Sequence, residues 1–218
     1  MGRLSSGPFG FLNGKVGNMV SYALNGQNIS RIAGKRTKPY SLKEKANFQR
    51  MRVTNVFLKT FVPFINITFA SAVSGTMKNP YNEAVSFNKK FALTGDYPLI
   101  SLDYSKALVS SGKLPPALAP VVSVLPAGLY FTWQTPADPS GLYQGNRAMI
   151  LVFFPEGTDA TGIPCAICEF SGARRSEGND FLPLDPSQTG KPFQAYLAFI
   201  GEDRMQVSNS SYCLGDFI

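Results

Sequence analysis

The sequence predicts a mainly β protein with some α: an N-terminal arm, a β-hairpin and helices joined to a C-terminal antiparallel β-sandwich of the immunoglobulin or fibronectin kind. Three observations predict it. Asn25-Gly26 stands between two strand-like runs, residues 16–24 and 28–33, the strongest short-range hairpin signal. Ser41-Leu42-Lys43-Glu44 has the spacing of a capping box ahead of a helical stretch. Beyond residue 96, short runs rich in β-branched and aromatic residues alternate with turn chemistry, as in a sandwich. The expected division is residues 1–95, a basic arm with hairpin and helices, and residues 96–218, the sandwich.

Residues 1–15 carry Gly2, Gly7, Gly10 and Gly14 with Phe9 and Phe11 between them, which reads as an extended arm without a core. Residues 34–39, Gly-Lys-Arg-Thr-Lys-Pro, form a basic linker, and Pro39 disfavours helix just before it. A helix is expected from residue 42 to about 61, broken near Pro63. At a helical turn of 100° per residue, Leu42, Ala46, Val53, Val56 and Phe57 share one stripe, with Phe48, Met51 and Leu58 roughly opposite. A helix apolar on two sides packs either against its own body and a second chain, or twice within one chain. The candidate self-association residues are therefore Phe9, Phe11, Phe48, Met51 and Leu58.

Residues 60–77 lack charge, but Pro63, Asn66, Thr68, Ser71, Ser74 and Gly75 interrupt them. A membrane helix needs about 20 predominantly apolar residues, so a buried helix and loop is expected and no integral membrane insertion. A second helix is expected over residues 80–91, with Pro80 in its first turn and Gly95 after its end. The expected strands are residues 99–102, 121–125, 129–134, 148–154, 165–170, 193–200 and 206–212. In the third of these, Leu129, Phe131 and Trp133 fall on one face, which suits a sandwich core; an exposed stacking platform is the alternative for Trp133.

Charge is uneven. The chain has 21 Lys+Arg, 14 Asp+Glu and no His. Residues 1–60 hold 11 cations and one acid, a balance of +10, whereas residues 61–218 hold 10 cations and 13 acids, a balance of −3. Arg31, Lys35, Arg36, Lys38, Lys43, Lys45, Arg50 and Arg52 are the candidate polyanion-binding residues, since phosphate neutralisation needs such a cluster. No helix-turn-helix, finger or RNP signature accompanies them, so nucleic-acid binding would be blind to sequence. The same cluster fits an arm docked on the acidic body of another copy, or a plain solvated face.

Chemistry has little to stand on. Without His, a Ser-His-Asp or Cys-His arrangement is impossible, and the acids are scattered singly. Gly10-Phe11-Leu12-Asn13-Gly14-Lys15-Val16 fails as a phosphate loop: three residues separate its glycines instead of four, and Val16 replaces the hydroxyl that must reach the metal. Cys165-Ala166-Ile167-Cys168 lies in an expected strand, where its thiols point to opposite faces; buried structural thiols are the reading, because zinc would lack a fourth ligand. Arg174-Arg175 reads as a solvated loop tip, with an anion contact as the alternative. No cofactor and no catalytic residue is expected. The start of the chain leads into no apolar h-region, so no signal peptide is expected, and its formal fit to the loose Gly2 acylation pattern is discounted. A location inside the cell, or in a particle assembled there, is expected.

Gly14-Lys15-Val16-Gly17, Arg31, Lys35-Arg36-Thr37-Lys38-Pro39, Tyr97-Pro98, Leu102-Asp103-Tyr104-Ser105-Lys106, Ser110-Ser111-Gly112-Lys113-Leu114, Trp133 and the closing Val207-Ser208-Asn209-Ser210-Ser211-Tyr212-Cys213-Leu214-Gly215 together resemble a bacterial family of unknown function. Asn13 stands where that family has Ser, and Cys213 and Leu214 both separate Tyr212 from Gly215 where it has one residue. The resemblance implies that arm and sandwich form one unit, and brings no catalytic residues. The expected function is that of a non-enzymatic structural or assembly protein, a homo-oligomer self-associating through its N-terminal arm and helix. The alternatives are a sequence-nonspecific nucleic-acid or polyanion binder, and a carbohydrate or protein binder using sandwich loops at 136–145 and 171–180.

Overall fold

A computed structural model of the chain describes residues 2–5, 10–24, 26–135, 141–158 and 162–215. The chain divides into two compact units, Met1–Ser41 and Leu42–Ile218. The helices share a core with the strands that follow them, so this division falls ahead of the first helix, whereas the boundary expected from the sequence is at residue 95.

The first unit is a four-stranded antiparallel meander: β1 (Arg3–Ser5), β2 (Phe11–Val16), β3 (Met19–Leu24) and β4 (Gln27–Ile32), in that order. The expected extended arm is thus two paired strands. A second tight turn made this possible. Val16 pairs with Met19 across Gly17-Asn18, and Gly17 has the positive φ of +57° that such a turn requires. The expected Asn-Gly hairpin is present as the pairing of Leu24 with Gln27; Asn25 itself lies outside the described residues.

In the second unit, α1 (Leu42–Leu58) runs through a 3-10 turn, Lys59–Phe61, into α2 (Val62–Thr68) and α3 (Ala70–Val73). Pro63 does not end the helical region: it occupies the first turn of α2, where a missing N–H costs nothing. Helix α4 (Pro80–Phe91) starts as expected. The Asn79 side chain accepts a bond from the Tyr81 backbone N–H at 2.8 Å, and Lys89 and Lys90 stand at its C-terminal end. A short β5–β6 pair (Leu93–Thr94, Ser101–Leu102) follows.

Two four-stranded sheets complete the unit. One has the order β10-β9-β12-β13, from β9 (Arg147–Phe154), β10 (Cys165–Glu169), β12 (Gln194–Ile200) and β13 (Ser211–Tyr212). The other has the order β11-β8-β7-β14, from β7 (Leu118–Leu125), β8 (Gly128–Gln134), β11 (Asn179–Pro183) and β14 (Leu214–Gly215). Strand β9 is apolar without alternation, the mark of a strand covered on both faces. Its Met149, Leu151 and Phe153 join a core with Phe57, Phe61 and Phe64 of the helical layer. Its Ile150, Val152 and Phe154 join a second core with Leu129, Phe131 and Trp133 of β8. The unit is therefore mixed α/β, mostly strand, in three layers: helices, sheet, sheet. Two expectations are corrected. The strands are not all antiparallel, since β14 pairs parallel to β7. Residues 179–183, taken partly as loop, form β11 beside β8.

The motif segments at 110–112 and 207–213 are knitted to each other. The Ser110 hydroxyl donates to the Ser208 carbonyl at 2.6 Å, and the Ser210 hydroxyl accepts from the Val109 backbone N–H at 3.0 Å. Ser208 Oγ accepts from the Phe199 N–H at 2.8 Å. Gly112 crosses so close to this segment that a Cβ would lie 1.9 Å from the Val207 carbonyl oxygen. We expect Gly112→Ala to lower the unfolding free energy by about 1–3 kcal/mol through overpacking, and Ser110→Ala by about 1 kcal/mol through the lost buried bond, both read as shifts of the urea midpoint.

Candidate functional site

In the first unit the meander presents an apolar row. Val16 pairs with Met19, and Met19 with Ile32, so the three side chains stand side by side across β2, β3 and β4. They are 50%, 39% and 72% exposed. Next along the same face, the buried Ser21 and the exposed Ser30 share a hydroxyl bond of 2.7 Å. Ser21 is the one buried residue among the described residues of this unit. The opposite face carries Lys15, Val20 and Arg31 in one row, with the Arg31 guanidinium 5.9 Å from the Tyr22 ring centroid. Phe11 is exposed; Phe9 lies outside the described residues.

Of the candidate polyanion-binding residues, Arg31, Lys35, Arg36 and Lys38 belong to this unit, and all are exposed. Arg36 is partly committed to its own linker: it donates to the Lys38 carbonyl at 2.7 Å and the Pro39 carbonyl at 3.2 Å, and stacks 4.2 Å from the Tyr40 ring centroid. Lys43, Lys45, Arg50 and Arg52 belong to α1 in the second unit and are exposed. At 100° per residue, Lys43 with Arg50 and Lys45 with Arg52 form ridges about 180° apart, so one flat polyanion cannot meet both.

Helix α1 differs from the expected pattern. Its buried face is Thr54, Phe57 and Leu58, continued by Phe61, at i, i+3, i+4 and i+7. Thr54 joins this face because its hydroxyl donates to the Arg50 carbonyl at 2.9 Å, which makes a polar residue cheap to bury. Leu58, expected at a self-association surface, is fully buried in the chain's own core and is removed from that set. Phe48 and Met51 remain exposed, as do Leu42 and Val56 of the other expected stripe.

Trp133 lies in the core, as expected for a sandwich strand. Its indole N–H donates to the Arg175 carbonyl at 2.9 Å, and its ring packs edge-on 5.6 Å from Phe199. Arg175 corrects the loop-tip reading. It is buried, its guanidinium lies 3.9 Å from the Phe199 ring centroid, and it donates to the Pro115 carbonyl. Arg174 stays exposed and lines a shallow cleft of about 220 Å³ with Arg147, Arg204 and Glu202. Of the candidate loops, residues 136–140 lie outside the described residues.

The C-x-x-C thiols are divided between the two cores, as strand geometry requires. Cys165 packs against the core between the sheets, Cys168 against the core under the helices. Burial pushes the Cys168 thiol up to about 11 and the Cys213 thiol higher still. Asp103 is held below the usual carboxylate range, first by the Ser105 hydroxyl bond and then by Lys106 at 2.9 Å. The Tyr196 hydroxyl, pushed well up by burial, donates to the Tyr104 carbonyl. No group of three or more metal-ligating side chains occurs among the described residues. No helix among them is long and apolar enough to cross a membrane.

Fold and surfaces together define a strand-rich α/β protein whose exposed features are apolar rows and cationic ridges. Its family follows from the sequence: residues 11–215 match the model of the Family of unknown function (DUF6266), and the chain belongs to that family. No curated protein and no solved structure matches the chain.

The thiol placement is testable. At pH 8 a group with a pKa near 11 is thiolate in only about one molecule in a thousand. We expect Cys168 and Cys213 to escape iodoacetamide in the native protein and to be alkylated in 6 M-class denaturant, as read by peptide mass spectrometry.

Proposed function

We propose that the protein is a non-enzymatic assembly component that self-associates through its N-terminal unit and helix α1. The observation that carries this reading is the exposed row Val16, Met19 and Ile32 in a sheet where Ser21 alone is buried among the described residues. Ordering a residue costs about 1–2 kcal/mol of backbone entropy. A sheet that buries no apolar side chain among its described residues has little to offset this, and an isolated sheet needs a covered hydrophobic face to be stable. Some surface must cover the row.

A second copy of the chain suits that role. Residues 1–41 carry six cations and no acid, while residues 61–218 carry more acids than bases, so the basic sheet of one copy complements the body of another. Phe48 and Met51 on α1 add apolar surface. A polyanion would meet the cations but would leave the apolar row wet, and the opposed ridges of α1 cannot share one phosphate track.

Light scattering coupled to size exclusion tests the reading. We expect the full chain to run as an oligomer that loosens as salt screens its charges, and the double variant Met19→Asp with Ile32→Asp to run as a monomer whose circular dichroism and thermal melt keep the signal of the second unit, Leu42–Ile218. A monomer at every salt concentration overturns the proposal. Retention on heparin that falls steeply with salt, from a monomeric protein, favours the polyanion reading instead.

A further inference from the structure

Strand pairing builds the cleft of about 220 Å³ that Arg174 shares with Arg147 and Arg204. Arg147 opens β9, with Ile200 of β12 on one side and Arg174, through an isolated antiparallel bridge, on the other. Residues paired in this way have Cβ atoms about 4.5–5.5 Å apart, and like charges directly opposite one another are destabilising. Arg204 joins them from the turn after β12, where its backbone N–H donates to the Gly201 carbonyl at 2.9 Å. Its φ of +55° is left-handed, a conformation that Gly adopts freely and a residue with a Cβ does not. Three guanidinium side chains thus meet at positions where the fold alone would favour other residues.

No described residue neutralises them. All three arginines are exposed, and none makes an ion pair with a described residue. Arg147 Nη1 donates to the Gly172 carbonyl at 3.1 Å, which holds that head group beside the segment carrying Arg174 without cancelling its charge. The one acid in the lining, Glu202, rests its carboxylate on Gly145, where a Cβ would lie 2.0 Å from Oε1. Three cations and one carboxylate leave the lining with a charge of 3 − 1 = +2. The Ser171 hydroxyl, with no partner among the described residues, adds a neutral donor. A cleft lined mainly by one sign of charge concentrates ions of the other.

We propose that this cleft binds a phosphoryl group, either free phosphate or the doubly charged end of a phosphate monoester. A dianion balances the charge of the lining and relieves the repulsion between Arg147 and Arg174. Guanidinium forks match its oxygens two at a time, and the Ser171 hydroxyl donates to a remaining one. The cleft is smaller than the roughly 300–1,000 Å³ of sites that enclose a whole small molecule, so it takes the charged group and leaves the rest of an ester in solvent. The site lies wholly in the second unit and uses none of the residues assigned to self-association or to the cationic ridges of α1.

Calorimetry on the full chain, at pH 8 and fixed ionic strength, compares inorganic phosphate, phenyl phosphate and acetate; phosphoryl groups are doubly charged there and acetate singly. Phosphate is expected to bind saturably, about one per chain, with a dissociation constant of about 1 mM or below, and acetate at least about tenfold more weakly. Phenyl phosphate binding as tightly as phosphate or tighter assigns the site to esters, and weaker binding assigns it to the free ion; either result upholds a phosphoryl site. Arg174→Gln and Arg204→Gln should each weaken phosphate by about tenfold. Glu202→Gln should tighten it several-fold, a change of sign that mere loss of structure does not produce. Lys43→Gln combined with Arg50→Gln, which removes charge from α1 alone, should leave it unchanged. Absence of saturable phosphate binding sinks the proposal. So does acetate binding as well as phosphate, or the α1 variant weakening phosphate as much as Arg174→Gln does. Oligomeric state enters none of these readouts, so the self-association reading stands or falls separately.

Discussion

The second unit is organised by the burial of β9 and β12 on both faces. Along β9 every residue from Ala148 to Phe154 is withdrawn from water, and along β12 every residue from Ala195 to Ile200. Fully burying one large apolar side chain is worth about 1.5–3 kcal/mol, and a strand covered on both sides collects that gain at each position. The requirement then spreads outward. One face needs the helices, whose Phe57, Phe61 and Phe64 meet it; the other needs the β7–β8 sheet, whose Leu129, Phe131 and Trp133 meet it. Neither layer is an ornament on the other. This is why the chain does not divide between helices and strands.

Much of this was legible. The unbroken apolar run at 148–154 announced a strand, the Asn-Gly pair a hairpin, and Pro80 the start of α4; each signal is local and strong. The placement of Trp133 and the opposed thiols followed from period-two geometry alone. What escaped was set by partners far away in the chain. Thr54 counts as polar in any periodicity, yet it faces the core because its own helix satisfies its hydroxyl. That shifts the buried stripe and takes Leu58 inside. Arg175 looked solvated beside Gly and Ser residues, but the Phe199 ring and the Pro115 carbonyl claim it. The arm was glycine-rich enough to conceal β1 and β2, whose evidence is a register and not a composition.

The surfaces were less legible still. Sequence pointed to aromatic residues of the arm, whereas the apolar row on the meander is Val16, Met19 and Ile32, which become neighbours through pairing across three strands. A groove beside α1 combines residues from the helix, from β6 and from β9. Spacing along a chain cannot reveal such a juxtaposition. Helix α1 emerges with divided duties: one face holds the core, one borders the groove, and its exposed Phe48 and Met51 look outward.

The last strands have a consequence for biosynthesis. β13 extends the sheet of β9 and β12, and two residues later β14 lies beside β7 in the other sheet, with Cys213 fully buried at the crossing. One short segment thus clasps both layers, and its serines tie down the loop at 110–112 from a hundred residues away. A nascent chain on the ribosome holds its helices and most of its strands well before it can fasten them. The fold is latched only when residue 215 has cleared the exit tunnel, so the apolar central strands stay unfastened while the intervening residues are being made.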